Sequence, residues 1–163
     1  MFRLLQGDVG SGKTIIAISS MFIEFKSGYQ SSLKAPTEIL ANQHYLTIKS
    51  FFNLFPIKVI FLSGNDKGKV RIDKIDKIAT GDAHIIIGTH ALIQDDVKFK
   101  KLGLVIIDEQ HRFGVHQRLA FTHKGLKPNI LVMTATPIPR TLTLAVYGDM
   151  DESRIIEKPK GRL

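Results

Sequence analysis

The stretch G-D-V-G-S-G-K-T at Gly7–Thr14 decides the fold, because it fits the phosphate-binding loop pattern G-x-x-x-x-G-K-[ST]. An apolar run over Phe2–Gln6 precedes it and predicts a short buried strand. Apolar residues at helical spacing follow it as far as Lys26, and Gly28 then supplies the glycine that often ends a helix. Strand, loop and helix stand in the order that such a loop needs, which argues against a chance match in a glycine-rich turn.

Each residue type in this loop has a chemical reason. Glycines lack a Cβ, so the backbone can curl with its N–H groups facing an anion, and the helix N-terminus adds a favourable dipole. Lys13 is predicted to contact the β- and γ-phosphates, and the Thr14 hydroxyl is predicted to bind Mg²⁺. The predicted nucleoside-triphosphate-binding residues are Gly7, Asp8, Val9, Gly10, Ser11, Gly12, Lys13 and Thr14.

Composition limits the class of protein. At 163 residues, 44% hydrophobic and 23% charged, the chain fits one globular domain with a real core. It has no cysteine, which excludes disulfides and permits a cytoplasmic setting, and it has neither a membrane-length apolar run nor a secretory leader pattern. The formal net charge of +8 favours a polyanionic partner such as nucleic acid, although a merely basic protein would show it too.

Short apolar runs alternate with helix-period segments along the chain. This alternation predicts an α/β fold of the P-loop NTPase type, a mainly parallel sheet with helices on both faces. Residues 1–150 are expected to form the domain. Residues 151–163 are expected to form an exit segment, a stretch without helical periodicity that leads out of the domain. The predicted strands are Phe2–Gln6, Leu33–Ala35, Lys58–Leu62, His84–Ile87, Leu102–Ile107 and Ile130–Thr134; helices are predicted over Thr37–Phe55, Asp66–Thr80, Val115–His123 and Pro139–Tyr147.

A second acidic motif completes the predicted nucleotide site. The apolar run Leu104–Ile107 ends in Asp108 and Glu109, where a parallel sheet would present them at its ligand-binding edge. Asp108 is predicted to share Mg²⁺ with Thr14, and Glu109 to orient or deprotonate the attacking water. The alternative is a plain acidic turn at a strand end, which the phosphate-binding loop makes less attractive because the loop itself calls for such a carboxylate.

Three further polar pairs follow predicted strands: Pro36-Thr37, Ser63-Gly64 and Thr89-His90. Their hydroxyl and backbone N–H groups would lie at the same edge and could contact DNA phosphates without reading sequence. Helix capping and turn formation are the alternatives, and Thr37 in particular is a good N-cap residue. The six histidines are spread over different elements and predict no zinc site.

Several motifs together resemble those of superfamily 2 helicases. Asp108-Glu109-Gln110-His111 resembles motif II, and Ala35-Pro36-Thr37-Glu38, Gly88-Thr89-His90 and Thr134-Ala135-Thr136 resemble motifs Ia, T-x-G and III. The longer stretches D-E-Q-H-R-F-G-V at Asp108–Val115 and T-A-T-P-I-P-R-T at Thr134–Thr141 resemble the RecG family of branch-migration helicases. The Mfd family of duplex translocases shares part of them, but Gln110 and the Gln117-Arg118 pair favour the RecG family.

The resemblance implies roles for these residues. Lys13, Thr14, Asp108 and Glu109 would form the hydrolytic core for ATP and Mg²⁺. Gln110 and His111 would couple the γ-phosphate to Thr134, Ala135 and Thr136. The partner would be branched DNA, with fork reversal and Holliday junction branch migration as the reactions, in a monomeric protein of the bacterial cytoplasm.

The resemblance also implies parts beyond these 163 residues: adenine-reading elements upstream, a wedge domain, and a second RecA-like lobe with an arginine finger. Because such a finger is worth about 10³–10⁵ in rate, we expect negligible ATP hydrolysis by these residues alone. A non-hydrolysing ATP-binding module or remnant is the competing hypothesis; a guanine-specific switch lacks support, since no N/T-K-x-D motif occurs. Lys34 departs from the small or apolar residue expected before Ala35-Pro36, which fits either relaxed constraint or a basic edge near DNA.

Overall fold

The computed structural model describes residues 1–108, 120–125, 127–148 and 150–157. Within these residues seven strands form a sheet in the order β3-β4-β2-β5-β6-β1-β7, and every neighbouring pair is parallel. The predicted parallel α/β fold is therefore confirmed. The strands are β1 Phe2–Gly7, β2 Gln30–Lys34, β3 Val59–Leu62, β4 Ile85–Gly88, β5 Leu102–Asp108, β6 Asn129–Thr134 and β7 Asp151–Ile155.

Helices cover both faces of the sheet. Helices α1 and α2 bury residues such as Met21 and Ile48 on one face, together with Leu33 of β2. The other face packs against Ile78, Leu92 and Phe121. The helices are α1 Lys13–Lys26, α2 Glu38–Phe51, α3 Gly68–Thr80, a 3-10 helix His90–Ile93, and α4 Arg140–Tyr147. The predicted helix Val115–His123 falls mostly outside the described residues, of which 120–122 are helical.

The central strands explain why this sheet is buried on both sides. Along β5, Val105 and Ile107 belong to one apolar cluster, and Leu104 and Ile106 belong to the other. Successive side chains of a strand point to opposite faces, so a continuous apolar run fits a strand covered on both sides. Burying each of these side chains stabilises the fold by about 1.5–3 kcal/mol.

Strand β7 is the main departure from the prediction, which places Asp151–Ile155 in an exit segment. Instead it pairs with β1 in parallel, from Arg3 opposite Asp151 to Gly7 opposite Ile155. The Arg3 guanidinium also donates a 2.7 Å hydrogen bond to the Ser153 hydroxyl. Because β7 lies at the sheet edge, its sequence is mostly polar and gives no apolar run, so the predicted boundary at residue 150 falls too early for the sheet.

The predicted inner faces of the helices are partly shifted. In α3 we expect Ile72, Ile75 and Ala79 to face inward, but Ile78 is the fully buried residue and Ile72 is 68% exposed. In α1 the predicted face includes Ile15, which is exposed, while Ala17 between the marked positions is buried. Single-sequence periodicity locates a helix but fixes its orientation only to within a residue or so.

Candidate active site

The phosphate-binding loop joins the end of β1 to the start of α1. Gly10 and Gly12 have φ angles of +79° and +99°, a conformation that residues with a Cβ adopt only under strain. The Ser11 N–H donates to the Asp8 carbonyl over 3.0 Å, and the N–H of Ile15 donates to the Gly12 carbonyl over 3.1 Å. A Cβ built on Gly10 or Gly12 would meet nothing within 4 Å, so open space adjoins the loop at both residues.

Two polar side chains line this loop. The Lys13 ammonium donates to the carbonyls of Gly7 and Asp8, at 2.5 and 2.9 Å, which holds the positive charge against the loop. The Ser11 hydroxyl is buried and, within the described ranges, has no hydrogen-bond partner. A Cβ on Gly7 would lie 2.4 Å from that hydroxyl oxygen and 3.2 Å from the Ile155 Cβ, so a larger residue there would force these neighbours to move. Open space, a cation and an unsatisfied hydroxyl all suit a polyphosphate.

Asp108 ends β5 at the same edge of the sheet and is 8% exposed. Strand β6 lies between β5 and β1, with Thr134 opposite Gln6 and Met133 opposite Asp108. The ends of β1 and β5 are therefore two strand spacings apart, about 10 Å. This arrangement brings the Asp108 carboxylate to the same edge as Lys13 and Thr14, the first two residues of α1. Carboxylate and hydroxyl oxygens at such an edge are suitable ligands for Mg²⁺.

An unpredicted histidine contacts Asp108. His44 lies in α2, and its Nε2 is 2.5 Å from Asp108 Oδ2, with both side chains largely buried. Because α2 and β5 are distant in sequence, no local motif marks this pair. The hydrogen bond satisfies one oxygen of a carboxylate that would be costly to bury without a partner.

The remaining predicted catalytic residues, Glu109, Gln110 and His111, lie outside the described residues, and their roles stay predictions. The coupling motif at the tip of β6 is described. Thr134 is buried, and its Oγ1 accepts a 3.2 Å hydrogen bond from the Thr136 N–H and lies 3.2 Å from the Thr136 hydroxyl. Together with the partly buried Ala135, this forms a compact turn between the ends of β1 and β5.

The three predicted DNA-contacting pairs also lie at strand ends. The residue that follows Pro36-Thr37 is Glu38, and its carboxylate is hydrogen-bonded to the other two pairs. Glu38, the first residue of α2, accepts hydrogen bonds from the Ser63 hydroxyl, the Gly64 N–H and the Thr89 hydroxyl at 2.9–3.0 Å. Three donors proposed for DNA phosphates thus donate to Glu38 instead. Thr37 accepts from the Leu40 N–H at 3.2 Å and is an N-cap, as its alternative interpretation predicts.

Pro36 and His90 are exposed, with His90 starting the 3-10 helix. Burial raises the pKa of the Glu38 carboxyl, but the hydrogen bonds from Gly64, Ser63 and Thr89 outweigh it, so the net pKa is below its ordinary value. Glu38 is therefore a carboxylate at neutral pH, and each of its donors stabilises that charge.

Three basic residues near these loops are paired or buried. On α3, Arg71 forms a 2.9 Å ion pair with Asp96, and Lys74 forms a 2.7 Å ion pair with Asp66. The run of charges on α3 predicts either a solvated helix face or contact with phosphates, and these ion pairs favour the first alternative. Lys34 is only 3% exposed at the end of β2, and its burial lowers its pKa.

Across the part of the chain that the structure describes, helices are too short or too polar to span a bilayer.

Comparison with known proteins gives a consistent result. A family model of DEAD/DEAH box helicases matches residues 3–145. The chain is 54% identical over 162 residues to the ATP-dependent DNA helicase RecG of Bacillus subtilis (strain 168), and 55% identical over 163 residues to that of Streptococcus pneumoniae. Each match covers 99% of this chain but 24% of the relative, so the chain spans about a quarter of these proteins.

Solved structures agree. The structure of RecG bound to a three-way DNA junction superposes with a TM-score of 0.81 at 45% identity, covering 99% of this chain and 21% of that one. The Pyrococcus furiosus Hef helicase domain reaches 0.70 at 21% identity over 96% of this chain and 35% of its own, which supports the fold alone. With the family model covering most of the sequence and the phosphate loop and Asp108 at one sheet edge, the chain belongs to the DEAD/DEAH box helicase family.

Proposed function

We propose that these residues form the ATP-binding motor lobe of a RecG-type translocase that acts on branched DNA in the bacterial cytoplasm. The observation that carries the proposal is the placement of the phosphate loop, Thr134 and Asp108 side by side at the carboxyl edge of the sheet. The similarity to RecG, including a structure with a three-way DNA junction, supports the choice of DNA partner.

In this proposal Lys13 and the loop N–H groups bind the phosphates of ATP, while Thr14 and Asp108 bind Mg²⁺. The metal would neutralise phosphate charge during hydrolysis. Glu109 orients the attacking water, and Gln110 and His111 connect the γ-phosphate to the Thr134–Thr136 turn. The loops after β3 and β4, which contain Ser63-Gly64 and Thr89-His90, are called the strand-end loops. Their backbone and exposed side chains contact the DNA, because the hydroxyl protons of Ser63 and Thr89 are donated to Glu38.

Measurement of nucleotide binding tests the proposal most directly. Calorimetric titration of Mg²⁺–ATP into the 163-residue chain should show binding that Lys13→Ala weakens at least tenfold, because charged hydrogen bonds contribute about 1.5–3 kcal/mol. Lys26→Ala removes an equal charge from the exposed end of the same helix and should leave binding unchanged. Equal binding by wild type and Lys13→Ala would overturn the assignment of the loop.

Addition of a forked duplex distinguishes a motor lobe from a plain ATP-binding module. The motor proposal expects the duplex to change nucleotide affinity, whereas an unchanged affinity favours the module. We further propose that these residues alone hydrolyse ATP negligibly, because a second lobe would supply the arginine finger. Steady-state hydrolysis by the 163-residue chain that Lys13→Ala abolishes would contradict this part.

A further inference from the structure

Two polar side chains of helix α2 contact different parts of the candidate site: one contacts Asp108, and the other contacts the loops after β3 and β4. Glu38 is its first residue and His44 lies six residues later, about 9 Å along the helix axis. Ala41 and Ile48 form the fully buried stripe of the helix, and at 100° per residue Glu38 and His44 lie on opposite margins of that stripe. The packed stripe joins the two polar contacts into one rigid body.

At one margin, His44 holds the carboxylate proposed to bind Mg²⁺. Its Nε2 engages Oδ2 of Asp108, and side-chain exposure is only 14% for His44 and 11% for Asp108. A hydrogen bond of this kind fixes the orientation of a metal-binding side chain. His44 reaches Asp108 without being part of the phosphate loop, so it acts on the metal site by positioning.

At the other margin, Glu38 fixes the strand-end loops. Its Oε1 accepts from both the Gly64 N–H and the Thr89 hydroxyl, and its Oε2 accepts from the Ser63 hydroxyl. The loops after β3 and β4 are therefore attached to the start of α2 and not only to their own strands. A force that displaces these loops reaches α2 through three hydrogen bonds to a single carboxylate.

We propose that α2 couples DNA contact to metal binding: Glu38 transmits displacement of the strand-end loops, and His44 passes it to Asp108. This connection is separate from the Thr134–Thr136 turn, which begins at the last residue of β6. The proposal rests on the proposed function, because it requires both nucleotide and DNA to bind. It makes His44 a positioning residue, with Glu38 as its counterpart at the loops.

The test measures how strongly DNA changes nucleotide affinity. The dissociation constant of a non-hydrolysable ATP analogue is determined with Mg²⁺, with and without saturating forked duplex, for the 163-residue chain and its variants. Typical coupling between two sites is about 5- to 150-fold. His44→Leu should bring the ratio of the two constants at least about threefold closer to one, with the remainder carried by the Thr134–Thr136 turn, while His44→Gln, which keeps an N–H donor, should retain most of the wild-type ratio.

Two controls separate positioning from general damage. Gln43→Leu makes the same kind of change at an exposed site on the same helix and should leave the ratio unchanged. Without Mg²⁺, His44→Leu should bind the analogue as the wild type does, because only the metal-dependent part of the affinity passes through Asp108. A merely structural role would lower affinity with and without Mg²⁺ alike.

The other end of the helix gives an independent test. Glu38→Ala should reduce the same ratio, with Asn42→Ala as the exposed control, and the double variant with His44→Leu should lose no more than either single variant. A wild-type ratio of one would overturn the proposed function and the coupling together. A wild-type ratio away from one that survives both His44→Leu and Glu38→Ala would overturn the coupling alone.

Discussion

The phosphate loop and the start of α2 are both strand-to-helix turns at the same edge of the sheet, but they are built differently. At Gly7–Thr14 the backbone determines the structure of the turn, through glycines in the left-handed conformation and carbonyls that accept hydrogen bonds from Lys13. At Pro36–Glu38 a side chain determines the contacts of the turn, because the Glu38 carboxylate accepts hydrogen bonds from two other loops. The first turn is thus defined by local sequence, and the second by residues brought together only in the folded chain.

A Cβ in the phosphate loop should cause the greatest loss of folding stability, because the loop depends on its backbone conformation. Gly12→Ala should destabilise the chain by about 1–2 kcal/mol, because φ at Gly12 is +99°. Gly64→Ala is the matched change at the α2 side: its new Cβ would lie 3.6 Å from Glu38 Oε1, an ordinary contact, and should cost less than about 0.5 kcal/mol. Urea unfolding measures both, and equal losses would contradict the difference between the two turns.

A smaller effect is expected at Lys34, which ends β2 just before the α2 turn. Lys34→Met should stabilise the fold by about 1 kcal/mol at neutral pH, because it removes a charge that burial disfavours. Burial lowers the folded-state pKa of Lys34, so the unfolded chain binds the proton more readily. The gain should therefore shrink as pH rises towards about 10.4, the ordinary lysine pKa, where the unfolded chain also loses its proton.

Unfolding curves between pH 7 and pH 10.5 would show this trend for Lys34→Met. The exposed Lys69→Met serves as the control and should change stability little at either pH. A loss of stability in Lys34→Met at neutral pH would show that the ammonium makes a favourable contact that outweighs its burial.

Neutralising Glu38 should change folding stability least, and it tests the part played by this side chain at the start of α2. Glu38→Gln should cost about 0.5 kcal/mol at pH 7, because it replaces a charged acceptor by a neutral one. The folded-state pKa of Glu38 is below its ordinary value, so the stability it adds is present above that value and is lost as pH falls through the folded pKa. The difference between wild type and Glu38→Gln should therefore shrink below about pH 4, and a difference independent of pH would exclude a charge effect.

The sequence predicts the elements that depend on local pattern. The phosphate-loop turn with its flanking β1 and α1, and the apolar strands β4 and β5, follow from spacing and hydrophobicity. Strand β2 shows the limit: its first residues are polar, so only Leu33–Ala35 is predicted, yet Gln30 is buried. Its amide donates to the carbonyls of Ile78 and Ala83, partners that only the folded chain supplies.

The same limit applies to the candidate site. Asp108 is found from its place after an apolar strand, but His44 is not, because an imidazole inside an ordinary amphipathic helix gives no local signal. Glu38 is marked only by its membership of a motif, which names the residue without revealing that it binds the neighbouring loops. Contacts between distant segments are thus the part of the site that single-sequence patterns omit.

The pairing of β7 with β1 has a mechanical consequence. The two strands run parallel over five register pairs, and the last of these sets Ile155 beside Gly7, the first residue of the phosphate loop. Tension applied between residue 1 and residue 157 would load these hydrogen bonds in shear, all at once, and not one after another as in unzipping. In a single-molecule pulling experiment part of the force would thus be borne directly beside the phosphate loop.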